Sequence, residues 1–145
     1  MTLIQWRKTI ETDIVDETIN FFRANMLFSQ FDVEGAADRL LIYLTLTASQ
    51  IVKKEAKLSS YDEGARALAN FAGGDFPLPG EGGWLLGGHF SAAKNSSERQ
   101  TMKDYLKQCR SELVTRMLDR LYDEDGSPNK WWLSFAKRNF MGIKA

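Results

Sequence analysis

The chain has 145 residues, of which 43% are apolar and 26% charged, a balance typical of a folded globular domain and not of a disordered chain. Its formal net charge is zero, so the total charge favours neither a nucleic-acid binder nor a binder of other polyanions. The one cysteine, Cys109, excludes an internal disulfide and is typical of a reducing compartment.

The first residues and the longest apolar run exclude two further classes. Residues 1–10 contain no long apolar stretch, which argues against a signal peptide. The apolar run 40–46 is far too short to cross a bilayer, so we expect no membrane contact. We therefore predict one domain over residues 1–145, with residues 1–12 irregular, in the cytosol or nucleus.

Two helices are predicted in the first part of the chain. Between about 13 and 28, apolar residues recur at steps of four, three and four, which places them on one helical face: Val15, Ile19, Phe22 and Met26. Between about 34 and 54, apolar residues point in every direction, as in a helix enclosed by others. We expect this second segment to be the central helix.

Two more helices have clear capping signals. Ser60 and Glu63 have capping-box spacing at the start of a helix over 61–72. Asn95 can cap a long helix over 96–122. Its apolar stripe consists of Met102, Tyr105, Leu106, Cys109, Leu113 and Met117. The charged residues expected mainly off that stripe are Lys103, Asp104, Lys107, Arg110 and Glu112.

A last helix is predicted near the C-terminus, with Ser127 as its cap and Pro128 as its first residue. The predicted fold class is therefore all-α, with about five helices and one apolar central helix surrounded by the others.

A long Gly/Pro-rich loop over 73–94 interrupts the helical pattern and holds seven of the eleven glycines. Loops of this length in a compact domain are uncommon and often functional. Its apolar residues must either cover the protein's own core or meet a partner. The loop residues that we select as candidate interaction residues are Phe76, Pro77 and Trp84.

Groups for catalysis are scarce. His89 is the one histidine, so no catalytic triad or multi-histidine metal site can be built. Gly82 and Gly87 have the spacing of a phosphate loop, but Lys and Ser or Thr do not follow them. Cys109 lies in an apolar stripe, which favours a buried, inert thiol. We predict no catalytic site, cofactor or metal.

The C-terminal segment 130–141 is rich in tryptophan and basic residues. Trp131 and Trp132 would point about 100° apart on a helix. One ring could anchor the segment while the other faces outward, or both could belong to the core. Trp and Arg concentrate binding energy at interfaces. The candidate interaction residues here are Lys130, Trp131, Lys137 and Arg138. Four bases are too few to favour nucleic acid.

Charge is unevenly distributed along the chain. Seven acids and one base lie between Glu11 and Asp38, whereas four bases and no acid follow Asp125. These segments are either two solvated faces or two contact surfaces of opposite sign.

Five blocks in one order resemble subunit 3 of the actin-related protein 2/3 complex. The C-terminal block is Lys130-Trp131-Trp132, Phe135, Lys137-Arg138 and Phe140-Met141. The loop block is Phe76-Pro77, Pro79, Gly80 and Glu81. The helical blocks are 13–17, then 37–39, 41–43, 45–46 and 53–54 in the central helix, then Met102, Tyr105, Leu106, Gln108, Arg110 and Arg116. The resemblance covers about residues 13–141.

The resemblance implies an all-helical, noncatalytic subunit of a multi-subunit assembly that nucleates branched actin filaments. The partners it implies are the other subunits, chiefly actin-related protein 3, and the actin filament at the branch junction. It places the protein in the cytoplasm, in cortical structures of the actin cytoskeleton. ATP belongs to the actin-related subunits of that assembly, so the resemblance implies no cofactor here.

Two features depart from the family pattern. Twelve residues precede Asp13, where the family has a longer segment, and the loop after Gly80 is unusually rich in glycine. A different class also remains open, a free-standing helical domain that binds a small apolar ligand beneath the 73–94 loop. An enclosed apolar cavity would favour that alternative, and an exposed apolar patch would favour the subunit. An enzyme that uses His89 is the third possibility.

Overall fold

The computed structural model describes residues 14–27 and 36–143, and these are largely helical. The α-helices are α1 (Val15–Asn20), α2 (Phe22–Leu27), α3 (Ala36–Glu55), α4 (Tyr61–Gly73), α5 (Ser96–Leu121) and α6 (Lys130–Leu133). Short 3-10 turns lie between α4 and α5, at Gly87–His89, and after α6, at Phe140–Gly142. Within the described ranges no strand forms, and one isolated bridge joins Tyr122 and Pro128. The all-α prediction is confirmed.

Helix α3 contacts each of the other described α-helices and the C-terminal 3-10 turn. All side chains from 42 to 49 are buried, on every side of the helix. Two of its buried hydroxyls bond within the helix: Thr45 donates to the carbonyl of Leu41 at 2.8 Å and Thr47 to that of Tyr43 at 2.9 Å. These bonds let a helix with polar residues lie inside apolar surroundings. The first predicted residues of this helix, 34 and 35, lie outside the described residues.

The first predicted helix is divided in two at Phe21. Backbone hydrogen bonds continue across the division, from Phe21 N–H to the Glu17 carbonyl and from Asn25 N–H to the Phe21 carbonyl, both 2.9 Å. The Thr18 hydroxyl donates to the Ile14 carbonyl at 2.8 Å, a side-chain bond that tends to bend helices. The interruption is therefore a distortion of one helical path. The predicted ends at residues 13 and 28, and the segment 1–12, lie outside the described part of the chain.

The capping predictions for α4 and α5 are confirmed. The Ser60 hydroxyl accepts from Glu63 N–H at 3.3 Å, and the Asn95 side chain accepts from Glu98 N–H at 2.8 Å. The Glu63 carboxylate in turn accepts from the backbone N–H and from the hydroxyl of Ser59. Each cap satisfies backbone donors that a helix start leaves unpaired.

The predicted start of the last helix is wrong. Asn129, and not Ser127, caps α6, and α6 is only one turn long. The Asp125 carboxylate accepts from the backbone N–H and from the hydroxyl of Ser127, and Pro128 lies in the bridge to Tyr122. The turn over 123–128 therefore occupies the residues that the sequence pattern assigned to the helix start.

One hydrophobic core includes buried side chains of every described α-helix, the loop and the C-terminal turn. In the same ranges, no helix combines the length and the apolar character that a membrane span requires.

Candidate interaction surface

Asn129 fixes the C-terminal segment. Its side-chain oxygen accepts from the N–H groups of Trp131, at 3.0 Å, and Trp132, at 3.3 Å. Its amide nitrogen donates to Asp123 at 2.9 Å, and its backbone N–H to the Leu121 carbonyl at 2.7 Å. One side chain therefore joins the end of α5 to the start of α6 and sets the direction of both tryptophans.

The two tryptophans have different environments. The Trp132 ring is 6% exposed and lies 5.3 Å from Phe22, centroid to centroid. The Trp131 ring is 47% exposed, and it packs edge-on against Trp132 at 4.8 Å and Phe135 at 5.1 Å. Trp132 and Phe135 are thus core residues, and they support Trp131 as a rigid, half-exposed aromatic side chain.

The basic residues of this segment face solvent. Lys130, Lys137 and Arg138 are exposed, and Asn139 accepts a hydrogen bond from the Lys53 ammonium of α3 at 2.7 Å. We call Lys130, Trp131, Lys137 and Arg138 the C-terminal patch. Phe140, fully buried, anchors the segment behind the patch. The next residue, Met141, is 37% exposed and has a left-handed backbone with φ of 52°.

The loop packs mainly on its own protein. Phe76, Leu78 and Leu86 are buried. Trp84 is half-buried, and its ring stacks on Tyr43 of α3 at 5.6 Å and meets Phe90 edge-on at 5.1 Å. Of the loop residues selected from the sequence, only Pro77 is exposed. Most of the large apolar side chains of the loop therefore cover the protein's own core.

Two clefts lie beneath the loop. One, of about 310 Å³, is lined by residues that include Arg39, Tyr43, Trp84 and Met102. The other, of about 160 Å³, lies across the Trp84–Tyr43 stack and is lined by Phe76, Pro77, Gln50, Arg110 and their neighbours. Both clefts open to solvent. They therefore lack the enclosure that would favour a carrier of small apolar ligands.

The expectation that Arg110 lies off the apolar stripe is wrong: its side chain is 4% exposed. Its guanidinium lies between the rings of Phe71 and Phe76, with 4.4 Å from Cζ to each centroid. It donates to the Phe71 carbonyl at 2.7 Å and, weakly, to the Ala72 carbonyl and the Tyr43 hydroxyl. Arg110 thus caps the end of α4 from α5.

Sequence spacing contained a signal for this burial. Arg110 follows Leu106 by four residues and precedes Leu113 by three, so it shares their side of α5. Moving one charged group from water into the interior costs several kcal/mol unless other groups compensate it. Carbonyl oxygens and aromatic faces provide part of that compensation here.

Groups with catalytic potential are not brought together in the described residues. Cys109 is fully buried, as expected, and burial raises the pKa of its thiol to about 12, which disfavours the reactive thiolate. His89 ends the 3-10 turn Gly87–His89. In the described ranges, no cluster of three or more histidine, cysteine or acidic side chains could hold a metal ion. What the described residues do present to solvent is the aromatic and basic C-terminal patch.

The fold and this surface define a small helical protein of the kind found as a component of larger assemblies. The family model described as the ARP2/3 complex ARPC3 (21 kDa) subunit, P21-Arc, matches residues 4–144. The chain therefore belongs to this family of subunits of the actin-related protein 2/3 complex.

Individual relatives agree with the family match. Actin-related protein 2/3 complex subunit 3 of Arabidopsis thaliana is 44% identical over 133 residues, which are 92% of this chain and 76% of the relative. The protein of the same name in Dictyostelium discoideum is 40% identical over 130 residues, 89% of this chain and 74% of the relative. The protein of the same name in Schizosaccharomyces pombe is 39% identical over 132 residues, which are 90% of this chain and 75% of the relative.

Proposed function

We propose that this protein is a noncatalytic structural subunit of the actin-related protein 2/3 complex, which contributes to nucleation of branched actin filaments and to the branch junction. The family match over residues 4–144 carries this proposal. Its partners are the other subunits of that complex, chiefly actin-related protein 3, and the actin filament at the branch. It acts without a cofactor, as one domain, in the cytoplasmic actin cytoskeleton and its cortical structures.

We assign the C-terminal patch as a surface that docks on a neighbouring subunit. Trp131 is supported from behind by two core rings, so it loses little side-chain freedom on binding. Exposed Lys130, Lys137 and Arg138 surround it in sequence and complement an acidic partner surface. Aromatic and arginine side chains in such a setting are typical of residues that dominate binding energy.

The test is incorporation into the complex from purified subunits. We expect the charge reversals Lys137→Glu and Arg138→Glu together to weaken incorporation by at least about tenfold, and Trp131→Ala to do the same. The free energy of unfolding of the isolated chain should change by less than about 1 kcal/mol for the charge reversals, because both side chains are exposed.

The matched control reverses two exposed charges elsewhere, Arg66→Glu on α4 and Lys107→Glu on α5. Incorporation of this control should equal that of the unaltered protein. If the patch variants are incorporated as well as the control, the patch is not a docking surface. If the unaltered protein associates with none of the other subunits, the proposed function itself is wrong.

A further inference from the structure

The guanidinium of Arg110 has no carboxylate partner among the described residues, although it is almost fully buried. Its three hydrogen bonds go to two carbonyls and one hydroxyl, and two of them are as long as 3.4 and 3.5 Å. A guanidinium carries more N–H groups than these bonds use. Buried charges in proteins are normally paired with an opposite charge. The Arg110 guanidinium therefore retains N–H groups that can donate hydrogen bonds to an anion.

Arg110 lines the cleft of about 160 Å³ beneath the loop, so an anion could reach it. The rings of Phe71 and Phe76 cover its faces and leave the N–H edge for further hydrogen bonds. Trp84 lines the same cleft, and its indole N–H is buried without an acceptor in the described part of the chain. Two side chains that carry N–H groups with unused hydrogen-bonding capacity therefore line one cleft, and such a lining suits a hydrogen-bond acceptor that carries negative charge.

The small volume and the apolar walls of the cleft favour a short side chain as that acceptor. Its walls include apolar side chains of Phe76, Leu86 and Leu46, and exposed Pro77 and Leu85 lie at its edge. Methylene groups can pack on such walls while a carboxylate meets the guanidinium. Phosphate groups lack an apolar stem that would use these walls.

We propose that the Arg110 cleft receives an acidic side chain, of the length of glutamate, from a neighbouring protein subunit. The proposal rests on the proposed function for its partner, but the cleft can be tested without the partner. It assigns roles to three residues selected from the sequence: Phe76 and Pro77 form a wall and an edge of the cleft, and Trp84 donates a hydrogen bond.

The first experiment uses the isolated full chain and a small probe, the methylamide of N-acetylglutamate, which carries one carboxylate on its side chain. Binding is followed by NMR at the side-chain N–H of Arg110 and the indole N–H of Trp84. We expect saturable shifts of both signals. The neutral methylamide of N-acetylglutamine should leave both unchanged. Equal shifts with both probes, or shifts confined to exposed lysines, would overturn the proposal.

The variant Gln50→Glu provides an internal competitor, because Gln50 lines the cleft and the exchange is nearly isosteric. The new carboxylate should reduce binding of the acidic probe by at least about tenfold. The control Thr115→Glu adds the same charge at an exposed position of α5 and should bind the probe normally. Normal probe binding by Gln50→Glu would contradict the proposal.

Incorporation into the complex separates the two proposals. We expect Gln50→Glu to be incorporated at least about tenfold more weakly than Thr115→Glu. If the unaltered chain is incorporated but the acidic probe does not bind, the cleft proposal fails and the proposed function stands. If the probe binds but the chain joins no other subunit, the proposed function fails and the cleft remains an anion site.

Discussion

Glu55 is a fully buried carboxyl at the end of α3, and neither of its oxygens has a hydrogen-bond partner among the described residues. Burial, and to a smaller extent the nearby Asp123 carboxylate, raises its pKa to about 8. The neutral, protonated form is therefore favoured in the folded protein at neutral pH. The unfolded chain, in which this group titrates near its ordinary value of 4.5, releases the proton much more easily.

The raised pKa predicts a loss of stability with rising pH. Since the folded state binds the proton more tightly, the free energy of unfolding should fall as pH rises from about 5 to about 8. Glu55→Gln should remove this dependence of stability on pH. At pH 8.5 its free energy of unfolding should exceed that of the unaltered protein by about 2–4 kcal/mol. Urea unfolding across this pH range measures both effects.

The control for Glu55→Gln is Glu124→Gln, which removes one exposed acid from the neighbouring turn. It should keep the pH profile of the unaltered protein. An unchanged profile in Glu55→Gln would show that this carboxyl is ionised and solvated in the folded state.

At the scale of elements, the short helix α6 depends on one capping side chain. Four-residue helices have little intrinsic stability, because nucleation of a helix is costly. Asn129 compensates by accepting from two backbone N–H groups and by bonding to Asp123. This element matters for function, because it supports Trp131 at the proposed docking surface.

Asn129→Ala should therefore destabilise the protein by about 1 kcal/mol, the usual effect of losing a helix cap. Hydrogen exchange of the Trp131 and Trp132 amides should accelerate, since both lose their acceptor. Ser127→Ala is the matched comparison, because the sequence pattern assigned the cap to Ser127 whereas its hydroxyl donates to Asp125 and caps no helix among the described residues. Equal exchange rates in the two variants would contradict the assignment of Asn129 as the cap.

At the scale of the molecule, the C-terminal segment is part of the core. Phe140 is fully buried, and the 3-10 turn that contains it contacts α2 and α3. An ion pair between Asp16 of α1 and Arg116 of α5, at 3.0 Å, connects distant parts of the chain on the outside of the bundle. The C-terminal patch and the helical bundle should therefore unfold together.

Phe140→Ala should destabilise the entire protein by about 3–5 kcal/mol, because it leaves a large cavity in the core. The indole NMR signals of Trp131 and Trp132, which report on the C-terminal segment, and circular dichroism, which reports on the bundle, should follow the same unfolding curve. Met141→Ala, at a residue with 37% exposure, should change stability by no more than about 0.5 kcal/mol. Separate transitions for the two signals would show that the segment is an independent unit.

Much of the fold was predictable because its signals are local. The caps of α4 and α5 depend on residues three positions apart, and the apolar stripe of α5 depends on helical spacing. The burial of Cys109 follows from its place in that stripe. Membership of the family was likewise visible in five blocks of sequence, and the family match over residues 4–144 confirms it.

Turn and tertiary contacts decided what helical periodicity and capping patterns could not. Helix α6 begins later than the sequence pattern predicts. Tyr122 and Pro128 form a bridge, and the Asn129 amide donates to Asp123, so these residues are held in a turn and are not available to a longer helix. Which tryptophan is buried depended on the position of Phe22, more than a hundred residues away. The sequence by itself determined an all-helical protein of this family with a tryptophan-rich, basic C-terminal segment. Only tertiary packing buried Arg110 beside a cleft, since its partners come from three separate elements, α3, α4 and the loop.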